Sequence, residues 1–171
     1  MLPGANYSSK ETFMKFLALF LLAFIVSGCS ISRHVVPVDS TVSVNNIYVL
    51  NNEKVHMDGM NQELVNQFQS LGFESQLYEG DKPAEAIHTF TYTANWAWDM
   101  AMYLVYFRGT LYEEGRVIGE VEYDAKMGGA NMNKFGKTKD KIQPLLTELM
   151  SKVNRNKISA ISTHPEAVAG N

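Results

Sequence analysis

The chain has 171 residues, of which 46% are hydrophobic and 19% are charged, and its formal net charge is −3. This composition is ordinary for a globular protein, and the length suits one domain better than two. The single cysteine excludes an internal disulfide framework.

Charge is distributed unevenly along the chain. Residues 74–124 contain ten acidic and three basic residues, whereas residues 126–157 contain eight basic and two acidic ones. A basic segment can bind nucleic acid or anionic lipid headgroups. A single charged segment more often forms the solvated face of a helix. We interpret this one as such a face, complementing an acidic sheet, and we expect no nucleic-acid partner.

The N-terminal region has the order of an export signal. A short positive region precedes an uncharged apolar run at residues 16–26, and small residues then lead to Cys29. The run is shorter than the ~20 apolar residues that span a bilayer, and it is apolar on every face, unlike a core helix. We predict that residues 1–28 are a cleaved signal peptide. A compact signal also begins at Met14, which is an alternative start.

The last four residues of this region resemble the lipobox of bacterial lipoproteins and read Val26-Ser27-Gly28-Cys29. The resemblance implies that the Cys29 thiol receives a diacylglycerol and that a signal peptidase cuts between Gly28 and Cys29. The new amino group is then acylated. The thiolate is needed as the nucleophile that takes the lipid. The alternative is an unmodified cysteine, which would leave an unpaired thiol in an oxidising compartment.

Residue 30 indicates which membrane holds the lipid. In the lipoprotein family an Asp at this position retains the protein in the inner membrane, and the residue here is Ser30. The resemblance therefore implies an anchor in the outer membrane of a Gram-negative cell, with the folded part facing the periplasm. Two or more acyl chains hold a protein stably at a membrane. The diacylglycerol and N-acyl chain expected on Cys29 thus form a permanent anchor.

The first half of the mature chain predicts a tether, a strand, a helix and a second strand. Residues 29–45 show no helical period, and we interpret them as a lipidated tether. An apolar run at residues 46–50 predicts a strand, and residues 75–78 predict a second strand parallel to it. The helix between them is capped by Asp58 and stopped by Gly72. Its apolar stripe consists of Met60, Leu64, Phe68 and Leu71.

Three further strands and a helix follow. Residues 89–98 alternate between an aromatic side and a threonine-rich side, as a half-buried strand does. Residues 101–112 and 117–123 predict two strands joined by a hairpin loop, in which Gly115 supplies a positive φ. Pro144 fits the last helix in its first turn. The stripe of that helix consists of Ile142, Leu145, Leu146, Leu149 and Val153.

These elements predict a two-layer α+β domain over residues 46–153. The order is β-α-β-β-β-β-α, with a mixed sheet of about five strands. Both helices are expected on one face, against the aromatic side of the strand at residues 89–98. Residues 154–171 carry no apolar stripe and are predicted to be a flexible tail.

No nucleotide or metal motif is complete. Gly136-Lys137-Thr138 lies between a strand and a helix, as a phosphate-binding loop does, but Asn131 stands where that motif needs a glycine. We interpret the segment as a loop with Thr138 as a helix cap, and we expect no nucleotide. The histidines are not spaced as metal ligands. They are His34, His56, His88 and His164.

Catalytic chemistry is not indicated either. No serine lies in a Gly-x-Ser-x-Gly context, and Cys29 is committed to lipid. Glu120, Glu122 and Asp124 alternate along a predicted strand, which is common on solvated faces. We therefore predict no catalytic residue, and a cell-wall hydrolase remains the residual alternative.

The aromatic side of the strand at residues 89–98 is the most suggestive feature for binding. Tyr92, Trp96 and Trp98 share one sheet face, where rings can stack on the sugars of peptidoglycan or lipopolysaccharide. A hydrophobic core needs the same pattern, and we favour the core. The predicted ligand or partner surface is the end of this strand together with the glycine-containing loop that precedes the last helix. Its candidate residues are Trp98, Asp99, Asn131, Lys134 and Lys137.

The segment Thr-Tyr-Thr-Ala-Asn-Trp-Ala-Trp-Asp at residues 91–99 is similar to a small family of uncharacterised Gram-negative lipoproteins. The likeness continues through residues 115–120 and 128–132. This family has no established activity, so it implies an outer-membrane lipoprotein and transfers no functional residue. In element order alone the domain also resembles envelope assembly lipoproteins, including the partner of the lipopolysaccharide translocon, which is an argument from fold analogy.

We therefore predict a lipid-anchored, non-enzymatic outer-membrane lipoprotein that binds another envelope component, a protein or a glycan. It needs no cofactor beyond its covalent lipid. The alternative is an enzyme or binding module acting on cell-wall glycan or lipopolysaccharide. An enzyme of this kind is expected to hold an indispensable carboxyl group with a raised pKa in a cleft. A third hypothesis is a stress-expressed surface protein with no fixed partner.

Overall fold

The computed structural model describes Lys15 and residues 30–52, 54–55 and 57–153. The lipobox with Cys29 lies outside the described residues, as do His56, His164 and the predicted tail at residues 154–171. No helix among the described residues is long and apolar enough to cross a bilayer.

The fold is of the predicted α+β class, with one mixed sheet and two α-helices. The strand order is β1-β6-β5-β4-β2-β3, in which β2 is parallel to both neighbours and the other pairs are antiparallel. The elements are β1 (Ser32–Val36), β2 (Asn46–Leu50), α1 (Met60–Ser70), β3 (Glu74–Tyr78), β4 (His88–Asp99), β5 (Ala101–Glu113), β6 (Arg116–Asp124), a 3₁₀ turn (Met132–Lys134) and α2 (Thr138–Leu149).

The sheet has six strands because part of the predicted tether forms β1. This strand pairs with β6 from Ser32 opposite Asp124 to Val36 opposite Glu120. The chain after it is also packed, since Val38 is fully buried and its N–H donates to the Leu149 carbonyl at 2.9 Å. The prediction of a tether through residue 45 is therefore corrected. Most β1 side chains are exposed, so this edge strand carries no apolar pattern that sequence periodicity could detect.

Both helices pack on the face of the sheet that carries the aromatic side of β4, as predicted. Phe68 of α1 meets Phe90 of β4 edge to face, with the ring centroids 5.0 Å apart. On the other side of the core, Gly119 of β6 lets α2 come close to the sheet. A Cβ at Gly119 would lie 2.6 Å from Leu149 Cδ1. A single hydrophobic cluster joins the two helices to the sheet.

The ends of α1 differ in part from the prediction. The helix begins after Gly59, which has a left-handed φ of 77°, and no side chain caps it, so Asp58 is not the cap. Its end is as predicted. Gly72 has a φ of 89°, and the N–H of the following Phe73 returns to the Phe68 carbonyl at 3.2 Å. This arrangement satisfies a carbonyl of the last helical turn.

The start of α2 also differs from the prediction. The helix begins at Thr138, so Pro144 lies in its interior and not in its first turn. Pro144 is exposed, and the Asp140 carbonyl that loses its helical partner therefore lies on the solvent side, where water can hydrate it. Thr138 is not the cap either. Its Oγ1 accepts a hydrogen bond from Trp96 Nε1 at 3.2 Å.

Candidate binding surfaces

The hairpin between β4 and β5 ends in exposed apolar side chains. Trp98 is 73% exposed, and Met100, which turns the chain with a φ of 60°, is 82% exposed. Two more exposed methionines lie in the loop between β6 and α2. We call this group the tip surface, and it consists of Trp98, Met100, Met102, Met127 and Met132. Exposed apolar groups of this size mark contact sites more often than solvated ones, and methionine adapts to varied partners.

A buried lysine fastens the β6–α2 loop to this hairpin. Lys134 is only 5% exposed, and its Nζ lies 2.5 Å from Asp99 Oδ2 and 2.5 Å from the Gly129 carbonyl. The same ammonium group lies 5.1 Å from the centroid of the Tyr103 ring in β5. The loop and the hairpin tip therefore form one surface at one end of the sheet.

A second buried lysine fixes the same loop to α2. Lys141 Nζ donates to the Asn133 carbonyl at 2.7 Å and to the Phe135 carbonyl at 3.1 Å. Burial lowers the pKa of Lys141, and the nearby Arg33 lowers it further. The interpretation of the basic segment as a solvated helix face is therefore wrong for Lys134 and Lys141. Their ammonium groups satisfy carbonyls of a loop that lacks regular backbone pairing.

The predicted surface residues are brought to one end of the molecule but play different parts. Trp98 and Lys137 are exposed. Asp99 is paired with Lys134, as described above. The Asn131 side chain accepts from the backbone N–H of Asn133 at 3.0 Å and so shapes the 3₁₀ turn. Lys134 and Asn131 thus hold the loop in place and present little surface to a ligand.

Sequence reasoning did not single out the methionines of the tip surface. Their positions in the sequence could have indicated exposure, because they lie near turns and not in apolar stripes. These residues are Met100, Met102, Met127 and Met132. The other two aromatic candidates belong to the hydrophobic core, as the sequence favoured. Tyr92 is buried, and Trp96 packs against the core after a bulge that follows Asn95.

The second face of the sheet is covered by neither helix, and we call it the open face. Cross-strand register places Thr91, Thr110 and Glu120 in one row, and Arg108 lies opposite Glu122 in the next. Parallel strands such as β2 are usually covered on both faces, so an uncovered face beside them is a candidate contact surface. The open face is represented by Tyr78, Thr91, Tyr106, Arg108, Tyr112 and Glu122.

Polar side chains of the open face are held in defined positions. Arg108 Nη2 lies 3.1 Å from Glu120 Oε1, and this hydrogen bond raises the pKa of Arg108. The Tyr106 hydroxyl donates to Glu122 Oε2 at 3.0 Å, and burial followed by this carboxylate raises the pKa of Tyr106. Lys126 Nζ stands 4.0 Å from the centroid of the Tyr106 ring. Tyrosine and arginine are the residue types enriched in the energetic centres of protein interfaces.

A polar cleft of about 220 Å³ lies at the end of the sheet opposite the tip surface. Its wall includes His88, whose Nε2 is buried and has no hydrogen-bond partner among the described residues. Glu113 Oε1 stands 3.6 Å away. Burial lowers the pKa of His88 and outweighs Glu113, which raises it. The lining residues are Ser43, Asn45, Asn46, Glu85, Ile87 and His88.

The buried imidazole makes stability depend on pH. The folded protein binds the His88 proton less tightly than the unfolded chain, whose histidine pKa is about 6.5. The free energy of unfolding should therefore fall as the pH drops from about 6.5 towards the folded pKa, by about 1.4 kcal/mol for each pKa unit between the two states. His88→Gln should remove this slope in urea unfolding measured between pH 5 and 7. His34→Gln, at an exposed position of β1, is the control, and an equal loss of slope there would contradict the assignment.

Among the described residues, no group of three or more His, Cys, Asp or Glu side chains is arranged to hold a metal ion.

Comparison with known proteins identifies no family. No family model matches the chain, and no curated protein matches it. Two of the solved structures that match are 8% identical to this chain, and the match covers 72% of this chain and 96% of each of theirs. They are the PelC dodecamer from Paraburkholderia phytofirmans, with a TM-score of 0.46, and a point variant of it, with a TM-score of 0.48. At such low TM-scores the likeness carries no conclusion about assembly or role.

Proposed function

We propose that this chain is a lipid-anchored, non-enzymatic lipoprotein of the Gram-negative outer membrane that binds another envelope component through its open face. The lipobox that ends at Cys29 supports the anchor, and Ser30 supports its location in the outer membrane. The partner surface is supported by one observation, the uncovered face of the mixed sheet with its ordered tyrosine and arginine side chains. A protein partner suits this face, because tyrosine, arginine and paired carboxylates are typical of protein interfaces.

Two carboxyl groups of the described residues have a shifted pKa, and in neither does the shift suit acid catalysis. A general acid at neutral pH needs a raised pKa. The pKa of Asp39 is instead lowered by hydrogen bonds from the Thr41 backbone and hydroxyl, and that of Asp124 is lowered by the backbone N–H of Lys126. In the polar cleft, burial lowers the pKa of His88, which favours the neutral imidazole at pH 7, and no described residue accepts or donates a hydrogen bond at its Nε2.

Site-specific photo-crosslinking in living cells tests the partner surface. A photoreactive amino acid at Thr91, on the open face, should give a covalent adduct of defined mass. The same amino acid at Glu148, an exposed position of α2, is the matched control and should give none. Arg108→Glu reverses the charge of a side chain on the open face beside Glu120 and Glu122, and it should abolish the Thr91 adduct by changing the charge pattern that the partner meets.

The crosslinking outcomes separate the alternatives. An adduct that disappears on digestion with muramidase would favour the glycan-binding alternative over a protein partner. Equal adducts from Thr91 and Glu148, or none from Thr91 while the lipidated protein is present at normal levels, would contradict the proposed role of the open face.

A further inference from the structure

We propose that the tip surface inserts into the lipid leaflet that holds the Cys29 anchor, so that the domain is attached at two points and has one orientation on the membrane. This inference rests on the lipid anchor of the proposed function. The occupant of the tip surface is the bilayer interface and not a protein partner, because the chain enters the sheet at the end where the tip surface lies.

The chain enters the sheet at the same end as the tip surface. Register places Ser32 of β1 beside Asp124 of β6, which lies beside Tyr106 of β5, which in turn lies beside Asn95 of β4. The β4–β5 hairpin continues past this row to its turn at Met100. Five residues of strand correspond to a rise of about 15 Å. The hairpin therefore projects beyond the point where β1 begins.

The link between the lipid and the sheet is short. Only Ser30 and Ile31 separate Cys29 from β1, and Ile31 is half-buried near Gly128 of the β6–α2 loop. Three residue steps reach at most ~11 Å. With the strands upright on the membrane, the tip extends about 4 Å beyond the farthest position of Cys29. Apolar faces of interfacial proteins lie ~5–10 Å deep at the headgroup and acyl boundary. If residues 29–32 are less than fully extended, Cys29 lies closer to the sheet, and the tip then reaches this depth below it.

The chemistry of the tip surface fits a lipid interface. Trp98 and four methionines supply apolar area, and tryptophan is enriched at membrane interfaces. Asp99, the acidic residue of the hairpin turn, is paired with Lys134. Lys137 is exposed on the flanking loop, and so is Lys126, whose Nζ is paired with Asp124 Oδ2 at 3.0 Å. Exposed cations at such a position can meet anionic headgroups.

At the far end of the sheet, the described residues include no exposed tryptophan or methionine, and the exposed apolar side chains there include the aliphatic Val117 and Ile87. Val117, at the start of β6, is exposed beside the β5–β6 hairpin. It lies the length of β5 away from the tip, about 40 Å for a strand of this length. Glu113, Glu114 and Arg116 surround it. Single aliphatic side chains scattered among charges are normal for a solvated surface.

Fluorescence quenching by brominated lipids tests the insertion. The two tryptophans of the chain are Trp96 and Trp98, so Trp96→Phe leaves Trp98 as the only reporter. The mature lipidated chain is reconstituted in vesicles of phosphatidylethanolamine and phosphatidylglycerol that contain lipids brominated near the headgroup end of the acyl chain. Trp98 emission should shift to the blue and be quenched by these lipids, and it should be protected from aqueous iodide.

A matched reporter at the far end provides the control. Trp96→Phe, Trp98→Phe and Val117→Trp together place the only tryptophan at another exposed apolar position. Its emission should be unaffected by the brominated lipids and fully accessible to iodide. Full iodide access at Trp98 without lipid quenching would overturn the insertion and would assign the tip surface to a protein contact absent from the vesicles.

The mature chain with Cys29→Ser separates this inference from the proposed anchor. Without lipid, it should still bind the same vesicles weakly through the tip. Adding Trp98→Ser should weaken that binding about tenfold, which corresponds to ~1.4 kcal/mol, while Val117→Ser should leave it unchanged. Mass spectrometry of the wild-type N-terminus tests the anchor by itself. If the wild-type chain is lipidated but its Trp98 stays in water, the proposed anchor is retained and the insertion is overturned. If the wild-type chain is not lipidated but binds the vesicles through Trp98, the insertion is retained and the anchor is overturned.

Discussion

Cys29→Ser should remove this protein almost completely from the outer-membrane fraction. A serine hydroxyl is a far weaker nucleophile than a thiolate and cannot take the diacylglycerol, and without acyl chains the protein has no stable membrane anchor. Membrane fractionation measures the loss. Mass spectrometry should show the wild-type chain beginning at residue 29 with the mass of three acyl chains, and the variant lacking that mass.

Ser30→Asp is the matched control for this experiment. The lipobox is intact in this variant, so the chain should still be lipidated, and the Asp should retain it in the inner membrane by the rule that the lipoprotein resemblance implies. A wild-type protein found in the soluble fraction with a bare sulfhydryl at residue 29 would contradict the anchor. A Cys29→Ser protein that remains in the outer membrane at wild-type levels would contradict it as well.

Gly109→Ala should destabilise the domain by about 1–3 kcal/mol, the usual cost of overpacking a core. Gly109 lies in β5 on the core side of the sheet, and a Cβ there would stand 2.3 Å from Phe90 Cζ and 3.1 Å from Val121 Cγ2. Phe90 is fully buried and is held against Phe68. The ring therefore cannot move away without disturbing the contact between β4 and α1. Urea unfolding followed by circular dichroism measures the change.

A double-mutant cycle identifies the clash as the cause. Phe90→Leu shortens the side chain and should itself destabilise the domain, but the added methyl group of Gly109→Ala then has room. The two changes together should cost less than their sum by about 0.5–3 kcal/mol. Arg108→Ala, the neighbouring exposed position on the open face, should change stability by no more than ~0.5 kcal/mol. Additive costs in the cycle would show that Gly109 is needed for another reason.

Strong periodicity made most of the fold predictable. The α1 stripe and the alternation along β4 each fill one side of an element, and the helices do pack on the aromatic side of β4. β1 was missed because it is an edge strand with mostly exposed side chains. Its pairing with β6 is a contact between residues about 90 positions apart, and local pattern does not report such a contact.

The surfaces were only partly predictable. Trp98 and Asp99 were expected at an exposed strand end, and they lie there. Lys134 was expected to meet a ligand, but its side chain is buried and its ammonium group pairs with the exposed Asp99. The local sequence of a lysine in a glycine-containing loop is the same whether the lysine is exposed to solvent or paired with a carboxylate. The outcome depends on how closely the β4–β5 hairpin approaches the loop.

The sequence by itself predicted the membrane location of the protein, because a lipobox is a contiguous motif. It also determined the fold class, because apolar periodicity is local along the chain. The tertiary structure decided at which end of the sheet β1 begins and which apolar side chains gather at that end. It also decided which face of the sheet stays open. These properties depend on strand register between distant segments, and no local pattern of residues encodes that register.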